Sequence, residues 1–559
     1  MSDTLIKAAD AAAATPHPDF DAVVVGAGFA GLYALHKLRD QLGLRVCVLE
    51  AGSGVGGTWY WNRYPGARCD IESIHYSYSF SNELQQEWEW SEKFASQPEI
   101  LRYLNHVADR FELHEDITFD TRVDSVVWDD STATWQVSTD TGHTVSARYF
   151  ISAAGNLSVP KEPEFAGTDV FTGELYMTGK WPHHDVDFTG KRVAVIGTGS
   201  SGIQVITEVA KQAEHLTVFQ RTPTYATPLR NGPADPDRVA AIKATYPEMR
   251  MASRNTQGGI VFDRDPLPSA MAVTPEERRR VYDDRWELGG FHISSASFND
   301  IVTDKAANDT ISNYVRERIR ECINDPALAE RLVPTTYPYG TKRPTFEAAY
   351  YDAYNRDNVT LVDVSDAPIT TLSPSGLRTA HDDYDFDMII LATGFDAMTG
   401  PLLKMNITGR NGQRLADKWA RGPRTFLGIQ VHGFPNLFTI TGPQSPSVLY
   451  NMPLAVEDHV DFAADAITYL CAHGYNTIEP TAEAEDAWVV QNNALADQSL
   501  LPGTNSWWMG ANVPGKPRVC LVFLAGANVY RGICEDVVNG GYHEFSLTLE
   551  GQPVRETVG

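Results

Sequence analysis

Two copies of one short pattern restrict what this chain can fold into more than any other feature. The first is "FDAVVVGAGFAGLYALHKL", where the apolar run Val23 to Val25 leads into Gly26, Gly28 and Gly31, spaced G-x-G-x-x-G. The second is "KRVAVIGTGSSGIQVITEVA", where Val193 to Ile196 leads into Gly197, Gly199 and Gly202. In such a strand-turn-helix unit the first glycine permits the tight turn. The second lets a pyrophosphate approach the backbone, and the third lets helix and strand pack closely. The helix start offers free N–H groups and the positive end of its dipole to phosphate. A helical pattern (Leu32, Leu35, Leu38) follows the first copy. Two copies predict an α/β chain with two Rossmann-like dinucleotide-binding domains.

The next strand in each unit separates their ligands. "RVCVLE" ends in Glu50, about 20 residues past the first glycines, where a carboxylate can accept hydrogen bonds from ribose hydroxyls. "HLTVFQRTP" instead ends in Gln220, Arg221 and Thr222. An acid there would repel a 2′-phosphate, whereas an arginine pairs with one through charge-assisted bonds. The first site is therefore expected to take FAD, through Gly26, Gly28, Gly31 and Glu50. The second is expected to take NADPH, through Gly197, Thr198, Gly199, Ser200, Ser201, Gly202, Arg221 and Thr222.

At 559 residues the chain is too long for one hydrophobic core. "YFISAAGN" (Tyr149 to Asn156) and "FDMIILATGFD" (Phe386 to Asp396) read as the two crossings between nested units. The expected division is a loose N-terminal arm at 1–19 and an FAD-binding domain at 20–154 and 391–559. An NADPH-binding domain occupies 155–229 and 335–390, with a helical insertion at 230–334 that carries "TPEERRRVYDDRWELGG" and "ISNYVRERIRECI". A formal charge of -26 argues for solubility and against nucleic acid or an anionic membrane as partner. No run of about 18 apolar residues is present to span a bilayer. The N-terminus has neither the basic start nor the apolar stretch of a signal peptide. Six scattered cysteines, without Cys-x-x-Cys or zinc spacing, fit a reducing cytoplasm and no metal site.

The order of motifs carries a resemblance. After the first fingerprint come "GVGGTWYWNRYPGARCD", "FTGELYMTGKWPHH", the second fingerprint, "GTKRP", "LATGFD" and "GANVPGKPRV". In this order, over nearly the whole chain from about Phe20, the sequence resembles the type I Baeyer–Villiger monooxygenases, close to the phenylacetone and steroid monooxygenase branch. The resemblance implies oxidation of a small-molecule ketone with O2 to an ester or lactone, through a flavin C4a-peroxide, with FAD and NADPH as cofactors. It implies that Arg343 is the catalytic cation, that Asp70 orients it, and that both also belong to the cofactor-binding set, Asp70 touching the flavin or nicotinamide side. It also implies that Gly56, Gly57, Thr58, Trp59, Arg68, Cys69, Tyr76 and Met452 lie along the flavin side. Lys342 would join Arg221 and Thr222 on the 2′-phosphate, and Trp507 would cover the nicotinamide cofactor. On the residues alone, Asp70 could instead cap a helix at "CDIES".

One position departs from the family. Its signature F-x-G-x-x-x-H-x-x-x-W-[P/D] reads here Phe171, Gly173, Met177, Trp181, Pro182, with methionine in place of histidine. Methionine packs but cannot titrate or donate a hydrogen bond. A structural linker tolerates that change. A changed coupling between reduction and oxygenation is the other reading. Two alternative activities stay open: an N- or S-oxidising flavin monooxygenase, and an uncoupled NADPH oxidase or redox flavoprotein. No G-x-S-x-G elbow and no paired redox cysteines point to hydrolase or disulfide chemistry. The identity of the ketone, the regio- and enantioselectivity, and the oligomeric state are not legible in the sequence.

Overall fold

The computed structural model describes residues 17–549 and 552–553; most of the expected N-terminal arm, residues 1–16, lies outside the described residues. Two sheets organise the chain. In the first, eight-stranded sheet, Phe20–Val25 lies between Val46–Leu49 and Thr144–Ser152 and parallel to both. Val25 stands opposite Leu49 on one side and Ser152 on the other. Val23 and Val24 are fully buried, as an apolar run flanked by parallel neighbours and covered on both faces requires. An antiparallel meander, Val123–Asp129, Thr134–Thr139 and Thr144–Ser152, extends one side. Leu437–Thr439 then returns from far along the chain to pair in parallel with Thr144–Ser152, Leu437 opposite Phe150.

The second sheet has five strands, all parallel, in the order Val359–Asp363, His215–Gln220, Arg192–Ile196, Met388–Leu391, Glu174–Met177. It is built from residues that lie between the two parts of the first. The unmatched signature residue, Met177, is the last residue of its edge strand and sits opposite Leu391. Strand alternation sends Leu175 and Met177 into an apolar cluster with Phe171, Ile389 and Leu391, while Tyr176 faces the other way and packs 5.2 Å from the buried ring of Trp181.

Residues 230–334 contribute the helices Pro236–Lys243, Tyr246–Arg254, Pro275–Leu288, Lys305–Cys322 and Pro326–Leu332. Their starts follow capping rules. The side chains of Asp235, Thr274, Asp304 and Asp325 each accept a backbone N–H of the first turn. Pro275 then takes the first helical position of its helix, where a missing N–H costs nothing. Glu276 and Glu277 follow it in the first turn, where acids favour the dipole.

Tyr282, Trp286, Ile311, Tyr314 and Ile319 from these helices share one core with Val193, Val195 and Val218 of the second sheet. The helix Tyr246–Arg254 turns the other way. Buried Arg250 donates to the His75 carbonyl, Ser77 Oγ and Gln85 Oε1, and Arg254 donates to Glu457 and Asp458. The insertion is therefore bonded to the first unit and packed on the second.

The helix after the first fingerprint is α-helical over Phe29–Leu35 and widens to a π-helix over His36–Gln41, with Leu32, Leu35 and Leu38 all buried. Among the described residues no helix is long and apolar enough to cross a membrane.

Candidate active site

The two fingerprints fold as near copies. Gly26 (φ +103°) and Gly197 (φ +109°) lie in the left-handed region, and a Cβ on either would meet the carbonyl oxygen of Ala153 or Ala392, at 2.6 and 2.4 Å. Those two alanines sit just beyond Ser152 and Leu391, in the segments that cross between the units. Gly31 and Gly202 are pressed against the carbonyls of Gly26 and Gly197 in the same manner. Both helices start without a side-chain cap, at Gly28 and Gly199, so their first N–H groups are left for an anion. Gly199 has no protein atom within 4 Å of where a Cβ would point, which leaves the backbone there open, beside Ser200 and Ser201. Gly28 faces Gly57, so the loop holding Gly56, Gly57 and Thr58 lies directly against the first fingerprint.

Glu50 is buried, and its two oxygens accept the N–H groups of Ala27 and Gly52, each at 2.7 Å. Burial pushes its carboxyl above the usual range, against the lowering by those N–H groups. It fixes the turn and keeps acceptor capacity for a ribose. Trp59 and Tyr76 are buried together, the indole N–H donating to the Tyr76 hydroxyl at 3.2 Å. Met452 opens the long helix Met452–His473 and packs on the core beside it. These residues and open backbones fit a dinucleotide at each fingerprint.

Asp70 and Arg343 meet across the chain. Arg343 Nη2 donates to both Asp70 oxygens at 2.9 Å, and Nε donates to Oδ2 at 3.3 Å. Nη1 donates to the Val448 carbonyl at 2.7 Å, and the guanidinium lies 5.4 Å from the centre of the Phe291 ring. Asp70 starts no helix; its carboxylate goes to the arginine and not to a cap. Cys69 is buried beside it, its thiol pushed well up by burial and then by the Asp70 charge. Arg68 is occupied elsewhere: its guanidinium donates to Glu92 and the Phe94 carbonyl, and its own carbonyl accepts from Gln204 on the second fingerprint's helix. Arg68 thus joins the two units through its backbone.

Lys342 and Arg221 are close enough to repel. Burial first, and then Arg221, push the Lys342 amine below its ordinary range, and its Nζ lies 4.3 Å from the centre of the Tyr337 ring. Among the described residues neither cation has a carboxylate within 4.0 Å. Thr222 gives its carbonyl to the Thr198 hydroxyl. Trp507 is half-buried and stands 5.7 Å from Trp508. Its loop is tied to the segment carrying Arg343 by Thr504, whose hydroxyl donates to that of Thr341 at 2.9 Å.

Residues 23–251 match the pyridine nucleotide-disulphide oxidoreductase family. A relative named Baeyer-Villiger monooxygenase, from Pseudooceanicola batsensis, is 43% identical over 526 residues, 94% of this chain and 95% of that one. The chain belongs to the Baeyer–Villiger monooxygenases. A solved oxidised steroid monooxygenase bound to NADP is 55% identical, with a TM-score of 0.90, and the match covers 95% of this chain and 99% of that one. OTEMO in complex with FAD and NADP is 40% identical, with a TM-score of 0.92, over 95% of this chain and all of that one. Against that family plan, the Val448 carbonyl, Phe291 and Thr504 escaped the sequence reading. Backbone carbonyls leave no sequence signal, and Phe291 and Thr504 are ordinary residues in segments without a motif.

Proposed function

We propose that this monooxygenase converts a ketone and O2 to an ester or lactone, with FAD held by residues 20–154 and 391–559 and NADPH by residues 155–229 and 335–390. The observation that carries the reading is the Arg343–Asp70 pair, a fixed cation with its orienting carboxylate. When bound, FAD reduced by NADPH supplies the oxygen-transferring chemistry. Arg343 holds the negative charge that develops on the reacting oxygen, and such preorganised stabilisation is worth roughly 3–4 kcal/mol. Asp70 and the Val448 carbonyl keep the guanidinium from swinging away. Phe291 gives it an aromatic face. Lys342 and Arg221 hold the 2′-phosphate, whose charge relieves their repulsion, and Trp507 shields the nicotinamide side from water. A small-molecule ketone, no nucleic acid and a cytoplasmic setting fit the net charge of -26 and the free cysteines.

The test is product analysis of the purified protein with cyclic and aryl ketones, NADPH and O2. Ester or lactone formed in proportion to NADPH consumed supports the reading. Peroxide release with every ketone, or sulfoxide from a thioether with no ester from any ketone, overturns it.

A further inference from the structure

Behind Asp70, on the side where the helical insertion meets the first unit, lies a small cavity of about 20 Å³. That is room for about one water. Its lining includes Asp70, Glu72, His75, Asp263, Phe291 and His292. His75 and His292 are only 4% and 6% exposed. Among the described residues a buried ring nitrogen on each lacks a protein partner: Nδ1 of His75 and Nε2 of His292. The site thus has two buried, unspent polar atoms and a carboxylate already bound to Arg343.

The tautomer of His292 follows from its neighbour. The Gly289 carbonyl lies 2.8 Å from Nδ1 and accepts its proton, which leaves the Nε2 lone pair free. Asp263 Oδ2 is 3.8 Å from that nitrogen, too far for a direct hydrogen bond. Two acceptors at such a separation are satisfied by a water that donates to both. Asp263 is half-exposed, so the cavity reaches solvent on that side.

We propose that this cavity is a hydrated proton port, in which one water held by His75 Nδ1 and His292 Nε2 links the Asp70 carboxylate to solvent at Asp263. A proton leaving the reacting centre is taken by Asp70. It passes to the water as one of the water's own protons moves to His292 Nε2. The same nitrogen then releases it to solvent beside Asp263, and the carboxylate is restored. Only a proton moves, and no oxidant or reductant is required. Both imidazoles are kept neutral for this. Burial, and then Arg250, hold His75 down at about 4. Burial lowers His292 as well, against the Gly289 carbonyl, Glu72 and Asp263, which favour its charge, while Lys93 opposes it. Glu72 and Asp263 also face His75, as does Arg238. Neither histidine touches the ketone: His75 is a positioning residue that orders the water, and His292 acts through that water by relaying its proton.

This rests on the ketone-oxygenation reading, so the test has one arm independent of it. A high-resolution crystal structure of the holoenzyme is expected to show an ordered water within hydrogen-bond distance of both ring nitrogens; a dry cavity overturns the port. The second arm compares wild type with His292→Phe and His292→Asn. His292→Phe is expected to slow ester formation about tenfold, toward the lower end of proton-transfer effects, to raise the solvent deuterium isotope effect and to shift the pH profile. His292→Asn can still hold the water but has no basic nitrogen to take its proton, so it is expected to keep the ordered water and to stay nearly as slow as His292→Phe. If His292→Phe does not fold, His292→Asn is compared with His75→Asn by the same isotope effect. Wild-type rate, pH profile and isotope effect in every variant that folds would overturn the port. A wild type that makes no ester refutes the oxygenation reading instead, and the crystallographic arm still decides the water.

Discussion

The Arg343–Asp70 pair can be tested as a unit. Apart from its place in the proton port, Asp70 acts through Arg343, so most of the effect of its removal should appear only while the arginine is present. Arg343→Ala should slow oxygenation by roughly 3–4 kcal/mol of barrier, on the order of a few hundredfold. Asp70→Ala removes a carboxylate that accepts three contacts from the guanidinium, at 2.9, 2.9 and 3.3 Å. Hydrogen bonds to charged groups are worth about 1.5–3 kcal/mol. The two side chains are 22% and 25% exposed, so solvent screens part of this. The Val448 carbonyl and Phe291 still hold the guanidinium. About 1.5 kcal/mol is therefore the expected loss, a slowing of about tenfold. The double variant should be no slower than Arg343→Ala by more than about threefold, because contacting residues couple. The assay is ester formed in single turnovers of pre-reduced enzyme, so that NADPH binding does not enter. Fully additive losses would refute the claim that Asp70 works by holding Arg343.

Three further outcomes follow from the same geometry. Arg221→Ala should raise the KM for NADPH by about ten- to a hundredfold and leave that for NADH nearly unchanged, since one charge-assisted phosphate contact is lost; equal effects on both cofactors would show the clamp is elsewhere. His75 and His459 are buried and held at about 4, well below an unfolded histidine near 6.5, so stability is present above pH 6.5 and is lost as pH falls toward 4. Each should cost about 2 kcal/mol at pH 5, and His459→Gln should flatten the decline of the urea midpoint between pH 7 and 5; an unchanged slope would refute it. Met177→His should leave ester formed per NADPH within roughly twofold of wild type and cost about 1 kcal/mol of stability; a wild type that only releases peroxide, cured by the histidine, would refute it.

What the sequence shows of this protein is what is local. The fingerprints are legible because turn, glycines and strand all fall within about 30 residues and obey one steric logic. The helical character of the insertion is legible in its charge-rich segments, whereas its caps at Thr274 and Asp304 emerge from the structure. The surroundings of Arg343 are not local. Asp70 is 273 positions away in sequence and Val448 is 105, and one of these partners is a backbone carbonyl that any residue could provide. Asp70 shows the limit from the other side: "CDIES" permits a helix cap, and only the arrival of a distant guanidinium settles what the carboxylate does. The π-helical stretch His36–Gln41 is equally invisible, because its leucines satisfy an ordinary helical pattern.

The methionine in the signature can be understood from the sheet that holds it. The segment is not a free linker: Glu174–Met177 is the edge strand of the second sheet, in register with Met388–Leu391. That partner strand runs directly into Ala392, whose carbonyl packs on Gly197. The same short strand therefore touches the segment that crosses back to the first unit and, through it, the second fingerprint. Its alternating faces divide the work. Leu175 and Met177 complete one apolar cluster, and Tyr176 with Trp181 completes the other. Gly173 keeps the strand close, since a Cβ there would lie 2.5 Å from the Asp387 carbonyl. A methionine at the end of such a strand fills an apolar site by shape, which a flexible thioether does well. The paired backbone of the strand holds the segment to the second sheet, and that pairing does not depend on whether the side chain at 177 titrates.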